Sequence, residues 1–129
     1  MNIPIPQYRA KKIDSEDLAI GCLISDMVGT NYKYYIKKTY NDIDELTEID
    51  PSTLAIHFPD MLDSNDKPIF ASLQENKSHG DTIHNIKAPD NFGKMKVFWN
   101  SYRNAVCYDE DCGKLEYLTK DEFKNYKIV

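Results

Sequence analysis

The sequence predicts an all-β protein, mainly antiparallel and carrying at most one short helical turn. Three observations point there. Short segments that alternate apolar and polar residues, or are dense in β-branched and aromatic residues, recur along the chain, and such segments suit a pleated, half-buried surface. Clusters of Pro, Gly, Asn, Asp and Ser separate them, which is turn chemistry. The stretch from Thr47 to Ile83 states the same logic most clearly: strand, turn, strand, polar loop, and the entry to a further strand.

Taken in order, Ile3-Pro4-Ile5-Pro6 is an extended lead-in poor in backbone donors, and Gln7 to Lys12 can form a first strand. Asp14-Ser15-Glu16-Asp17 turns the chain. Leu18 to Ser25 is apolar and reads as a strand, with Ile20, Cys22 and Ile24 opposite Ala19, Gly21 and Leu23. Gly29-Thr30-Asn31 is the next turn. Tyr32 to Tyr40 is again strand-like: Tyr32, Tyr34 and Ile36 point one way, Lys33, Tyr35 and Lys37 the other. Asn41 to Glu45 is an acidic loop, and Leu46 to Ile49 leads out of it.

Asp50-Pro51 marks a turn, because proline fixes φ and pushes the preceding residue out of the helical region. From Thr53 to Phe58 the chain alternates, with Leu54, Ile56 and Phe58 on one apolar face and Thr53, Ala55 and His57 on the other. Pro59 stops that strand. Asp63-Ser64-Asn65-Asp66-Lys67 is dense in residues that bond their own backbone. Pro68-Ile69-Phe70-Ala71 resumes an extended run, Gln74 to Gly80 is an exposed polar loop, and Asp81-Thr82-Ile83 opens another strand. After a break at Ala88-Pro89-Asp90-Asn91, Lys94 to Trp99 alternates again. Met95, Val97 and Trp99 share one face; Lys94, Lys96 and Phe98 share the other. Strands at Ala105–Tyr108 and Leu115–Leu118 flank a turn at Asp109 to Gly113. Thr119 ahead of Asp121-Glu122 has the form of an N-cap with acid in the first turn, which predicts one helical turn before a closing strand at Tyr126 to Val129.

The motifs Tyr8-Arg9-Ala10, Glu48-Ile49-Asp50-Pro51-Ser52-Thr53-Leu54, Asp63-Ser64-Asn65-Asp66-Lys67-Pro68-Ile69-Phe70 and His79-Gly80-Asp81-Thr82-Ile83 together resemble the YopX-like proteins of phages and prophages. The chain departs from that pattern at Ile56 to Leu62 and carries extra residues from about Ala71 to Ser78. The resemblance implies a mainly β protein ending in an SH3-like barrel, and strand, one-turn helix and last short strand is a common ending for such barrels. It implies little about activity. The organisation expected is one domain, 1–129, with a possible boundary near Leu73 to Ser78 dividing an N-terminal β subdomain (1–73) from the barrel (79–129).

The composition bounds the rest. At 129 residues the chain suits one domain with a modest core. No run reaches the roughly 18 apolar residues of a membrane helix. The N-terminal segment lacks the basic and apolar regions of a secretion signal, and three cysteines without one suggest free thiols in a reducing cytoplasm, which the resemblance implies is that of a bacterial host. The net charge of −5 opposes a phosphate backbone overall while leaving room for a local basic stripe.

No complete chemical constellation is written in the chain. His79, Asp81 and His84 are the residue types of a zinc site, but the odd spacing of the two histidines sends them to opposite faces of an extended segment. Cys107 and Cys112 lack Cys-x-x-Cys spacing and read as two thiols beside a turn. Asp63 to Lys67 starts like a calcium loop but has Pro68 and Gln74 where such a loop requires Gly and Glu. No serine sits in a nucleophile elbow, and no glycine-rich phosphate loop is present. The sequence therefore predicts no enzyme, no cofactor and no metal. The expected function is a non-enzymatic β module that binds a protein, either a host protein or itself, through two faces where a ring sits between lysines: Lys33, Tyr35 and Lys37 on one strand, Lys96 and Phe98 on another. The alternatives are a single-stranded nucleic-acid binder that stacks bases on those rings, and a small metal-dependent hydrolase built on His79, Asp81 and His84.

Overall fold

The computed structural model describes residues 6–37, 46–73, 79–88, 94–100, 105–110 and 115–129. The expectations placed on Ile3 to Ile5, the acidic loop at 41–45, the polar loop at 74–78, the break at Pro89, the turn at 101–104 and Cys112 lie outside those residues.

The all-β class holds. The strands are β1 (Gln7–Lys11), β2 (Leu18–Val28), β3 (Asn31–Lys37), β4 (Thr47–Glu48), β5 (Ala55–His57), β6 (Ala71–Ser72), β7 (Thr82–Asn85), β8 (Lys94–Asn100), β9 (Ala105–Glu110), β10 (Leu115–Tyr117) and β11 (Tyr126–Ile128). A 3₁₀ turn covers Pro51–Thr53, and α1 (Lys120–Phe123) is the one helical turn among the described residues. The ladder runs β10-β9-β8-β6-β5-β1-β2-β3-β4, with β7 joining β8 and β11 joining β7. Every pairing is antiparallel except β6 with β8.

Local chemistry sets these elements as expected. Val28 pairs with Asn31 across a two-residue loop, and Gly29 at its first central position has φ 66°, the left-handed value that a type II′ hairpin turn demands there. Thr119 caps α1 in a full capping box: its hydroxyl accepts from the Glu122 N–H while the Glu122 carboxylate accepts from the Thr119 N–H. Phe123 is thereby turned into the core, 1% exposed. Asp63 organises its turn completely. Oδ1 accepts from the N–H of Asn65 and of Lys67, and Oδ2 accepts from the N–H of Ile128. The Ser64 N–H donates to the Tyr126 carbonyl, and Lys124 pairs with Asp66. The turn therefore ties the centre of the chain to its last strand.

Two strands share one edge between two partners, and these forks give the sheet its shape. On one edge of β8, Lys94 to Lys96 pair with β7 and Phe98 pairs with Ser72 of β6. On the edge of β1 away from β2, Gln7 to Arg9 pair with β5, and Lys12 then bridges Ile49. The Ile13 N–H donates to Glu48 and the Asp50 N–H to Lys11 across that bridge. It returns the chain after β4 to β1, so β1 to β4 curl around a small core of Ala10, Ile36, Ile49 and Leu54. A larger core holds Ile56, Met61, Ile69, Ala71, Ile83, Met95, Val97, Leu118, Phe123 and Tyr126, drawn from both sides of the Leu73–Ser78 region.

Two expectations meet the structure differently. The C-terminal strands take the order β11-β7-β8-β9-β10 with α1 before the last of them, but among the described residues no ladder joins β10 to β11, and β8 passes on into β6. The pairing is that of an open mixed sheet, consistent with the all-β class, and it does not confirm the SH3-like barrel. Secondly, β5 does not have one buried and one open face, since everything from Thr53 to His57 is buried. Alternation identifies residues that share a side; it does not say whether the second side is roofed by something distant in sequence.

Candidate functional site

The polar groups with most chemical potential meet where β1, β5, β6, β7 and β8 come together, and each has a structural partner. Arg9 Nη1 lies 2.9 Å from Asp81 Oδ1, both side chains largely buried. Arg9 Nη2 donates to the His79 carbonyl, and the guanidinium lies over the Phe70 ring, 4.6 Å from its centre. The other carboxylate oxygen of Asp81 accepts from the Phe70 N–H. His57 Nδ1 is 3.0 Å from the Ile69 carbonyl; a carbonyl can only accept, so Nδ1 carries the hydrogen and Nε2 is the basic nitrogen. Burial holds the His57 pKa below its ordinary value, against the opposing pull of the Ile69 bond and the Asp81 charge. Gly80 closes the junction. A Cβ there would stand 1.9 Å from the Val97 carbonyl oxygen and 2.8 Å from the Ser72 nitrogen.

Two further polar motif residues are likewise occupied. The Asp50 carboxylate accepts from both the hydroxyl and the N–H of Ser52, which holds its pKa down and caps the 3₁₀ turn. Thr53 Oγ1 accepts from the Lys11 N–H and donates to the Asp50 carbonyl.

The opposite situation holds on the outer face of β2 and β3. Register places Leu18, Ile20, Cys22 and Ile24 along one side of β2, with Lys11, Arg9, Lys37 and Tyr35 as their respective cross-strand neighbours. The inner side of β2, with Ala19 and Leu23, packs on the small core. Leu18 is 53% exposed and Ile20 45% exposed. Cys22, Ile24 and Tyr35 are half-buried.

The structure divides the sequence-predicted site residues. Ile36 and Tyr34 face the small core, so Lys33, Tyr35 and Lys37 do lie on the outer side of β3. Lys33 is exposed, with its ammonium 4.0 Å from the Glu48 carboxylate. Tyr32, on the inner side, is nevertheless 62% exposed, because the hairpin runs past the end of the core. On β8, Lys96 is exposed beside Thr82, whereas Phe98 is 9% exposed and buried. The expectation that Phe98 points outward as a contact ring is therefore corrected. Met95 and Val97 fill the large core and Trp99 packs against it, so the parity is right; what fails is the assumption that the other side is open. Phe98 stands in a row with Ser72 and Ala55, both 0% exposed, at a β6 contact that no local pattern announces. Along the ladder, β3 and β8 are five strand steps apart, roughly 24 Å at the usual spacing. The two lysine–aromatic sets do not form one site.

His79, Asp81 and His84 do not converge either. Asp81 is tied to Arg9, His84 is buried within β7 beside Lys94 and Lys127, and among the described residues no three His, Cys, Asp or Glu side chains gather as a metal site would require. Sequence reasoning missed the Arg9–Asp81 pair, which joins residues far apart in the chain; Gly80-Asp81 was the available signal, since Gly80 serves close packing as well as a bend. Among the described residues no helix is long and apolar enough to cross a membrane. Compared with family models, curated proteins and solved structures, the chain finds no match in any of the three.

Proposed function

We propose that the chain is a non-enzymatic protein-binding module that engages its partner through the outer face of β2 and β3. One observation carries the reading: β2 is apolar on both sides, the composition of a strand covered twice, yet Leu18 and Ile20 on its outer side stand in solvent. The engagement of Arg9, Asp81, His57 and Asp63 in structural bonds supports the non-catalytic part. The shared motifs with YopX-like proteins extend the proposal to a phage- or prophage-encoded accessory protein acting in the bacterial cytoplasm. A nucleic-acid reading has the exposed Lys94, Lys96 and Lys127 in its favour, but the ring it needs beside them, Phe98, is buried.

The test is capture from a bacterial lysate with nuclease-treated and untreated arms, using wild type, Ile20→Lys, Leu18→Glu and Lys94→Glu/Lys96→Glu. The proposal expects nuclease-resistant capture that both β2 variants abolish and the lysine variant retains. Capture that vanishes with nuclease, or that ignores both β2 variants, would overturn it.

A further inference from the structure

We infer that Ile69 to Ser72, the strap that carries β6 into the junction, is an acid-released latch whose trigger is His57. Its release uncovers the rings of Phe70 and Phe98. The inference concerns the covered half of the sheet and stands apart from the binding reading of β2 and β3.

The latch follows from how the strap is hung. The ladder between β5 and β6 covers only Ala71 and Ser72. Just ahead of it, half of the backbone bonds pass to side chains. The Ile69 carbonyl accepts from His57 Nδ1, and the Phe70 N–H donates to Asp81 Oδ2. The other two backbone groups of this pair are met by backbone: the Ile69 N–H donates to the Met61 carbonyl, and the Phe70 carbonyl accepts from the Asp81 N–H. Backbone held by titratable side chains answers to a change of charge, which a ladder of amides does not. The closed strap is also a buried one, with Ile69 0% and Phe70 3% exposed. Ser72 beyond it pairs with Phe98, so the strap roofs that ring as well.

His57 is placed to feel the charge. It is 7% exposed, and its ring lies 5.5 Å from that of Phe70. Nδ1 already holds the Ile69 carbonyl, so an added proton goes to Nε2 and leaves a full charge in this packing. Asp81 attracts that charge, but its carboxylate is already bonded to Arg9 and to the Phe70 N–H. Arg9 of β1 lies over the Phe70 ring, so a charged His57 sets a second cation against the same ring. Gln7, the cross-strand neighbour of His57 on β1, carries no charge, and the His79 imidazole acts on Asp50 instead. Burial outweighs the attraction of Asp81, and the pKa of His57 lies below its ordinary value. With the strap open, the imidazole regains water and its ordinary 6.5. The open form then takes the proton more readily than the closed one. Each pH unit below 6.5 favours opening by up to about tenfold, until the closed form is protonated too.

Amide hydrogen exchange on the full chain, from about pH 7.5 to about pH 5, tests this once rates are converted to protection factors. The amides to follow are those of Phe70, Leu73, Asp81 and Val97, set against those of the β2–β3 hairpin. Strap protection should fall at least about threefold between about pH 7 and pH 5.5, while hairpin protection holds. His57→Asn keeps an N–H donor for the Ile69 carbonyl and removes the titration, so its strap protection should be flat across this range, whatever its level. Wild-type protection that ignores pH, that falls equally in the hairpin, or that falls in His57→Asn as it does in wild type overturns the inference. If the variant does not fold, an NMR titration of the wild-type His57 ring decides. A midpoint below 6.5, shared by the strap amides, supports the latch, and a midpoint at or above 6.5 overturns it.

Discussion

Ile20 and Phe98 occupy one cross-strand row. Register carries that row from Ile20 through Arg9, Ala55 and Ser72 to Phe98, five strands of the ladder on the same side of the sheet. Its two ends have opposite fates: Ile20 is 45% exposed and Phe98 9%. Both are large apolar residues on strands whose other side fills a core, so neither propensity nor alternation distinguishes them. The difference arises between them. From Arg9 onward the row enters the junction where Phe70, His57 and Asp81 pack and where Gly80 lets β6 and β7 close on β8. At Ile20 no such packing has begun. Which end of a two-sided apolar strand system is covered is thus decided by the fork at β8, and at the other end Leu18 and Ile20 meet solvent.

Breaking the fork should have the largest effect. Gly80→Ala drives a Cβ into the Val97 carbonyl and the Ser72 nitrogen, both backbone atoms that cannot rotate away. The hydrogen bonds from the Asp81 N–H to the Phe70 carbonyl and from the Val97 N–H to the Asp81 carbonyl must part to admit it. A loss of more than about 3 kcal/mol in urea unfolding is expected, in the range of severe single substitutions. A variant within about 1 kcal/mol of wild type would show that the strands are not packed this closely.

The next comparison sets the two predicted contact rings against each other. Phe98→Ser removes a buried ring and should cost about 3 kcal/mol or more. Tyr35→Ser removes a half-buried ring from the outer face and should cost less than about 1 kcal/mol. Equal losses at the two positions would mean that the outer face of β3 is as well covered as β8, and the distinction between the ends of the sheet would fail.

The sequence made the strands legible because each announces itself locally. β1, β2, β3, β8 and β11 fall where the apolar patterns place them, and the Thr119 cap specifies α1 by residue type and spacing alone. The side of β3 was legible for the same reason, since Ile36 and Tyr34 are more apolar as a set than Lys33 and Lys37. The tertiary roof was not. Arg9 and Asp81 signal nothing about each other, and Ser72 meets Phe98 through a parallel bridge after a polar segment that carries no strand pattern. The candidate face was half legible: Tyr35 and its lysines were visible, while nothing in the apolar run from Leu18 to Ser25 says that one of its two sides is bare.

Acid offers a smaller and selective perturbation of the same contrast, because the buried titratable groups lie in the covered half. His57 has a depressed pKa. Below its ordinary 6.5 the unfolded chain takes up a proton that the folded chain resists, so stability falls as pH drops from there toward the folded value. Asp63 also has a depressed pKa. Burial, the largest influence, pushes it up, but the N–H groups of Lys67, Ile128 and Asn65 and the Lys67 charge outweigh that. Its contribution is therefore complete above the ordinary 3.8 and is lost as pH falls through the folded value. Asp63→Asn isolates this second step. The amide can still accept from Asn65 and Lys67 through its oxygen, but its NH₂ then faces the Ile128 N–H, donor against donor. A cost of about 1–2 kcal/mol at neutral pH is expected, together with loss of the acid step below pH about 4. Hydrogen exchange should place the weakening at β11 and the 63–67 turn, leaving the β2–β3 hairpin unchanged. An acid profile identical in wild type and Asp63→Asn, or exchange that rises first in the hairpin, would show that Asp63 does not hold the covered half closed.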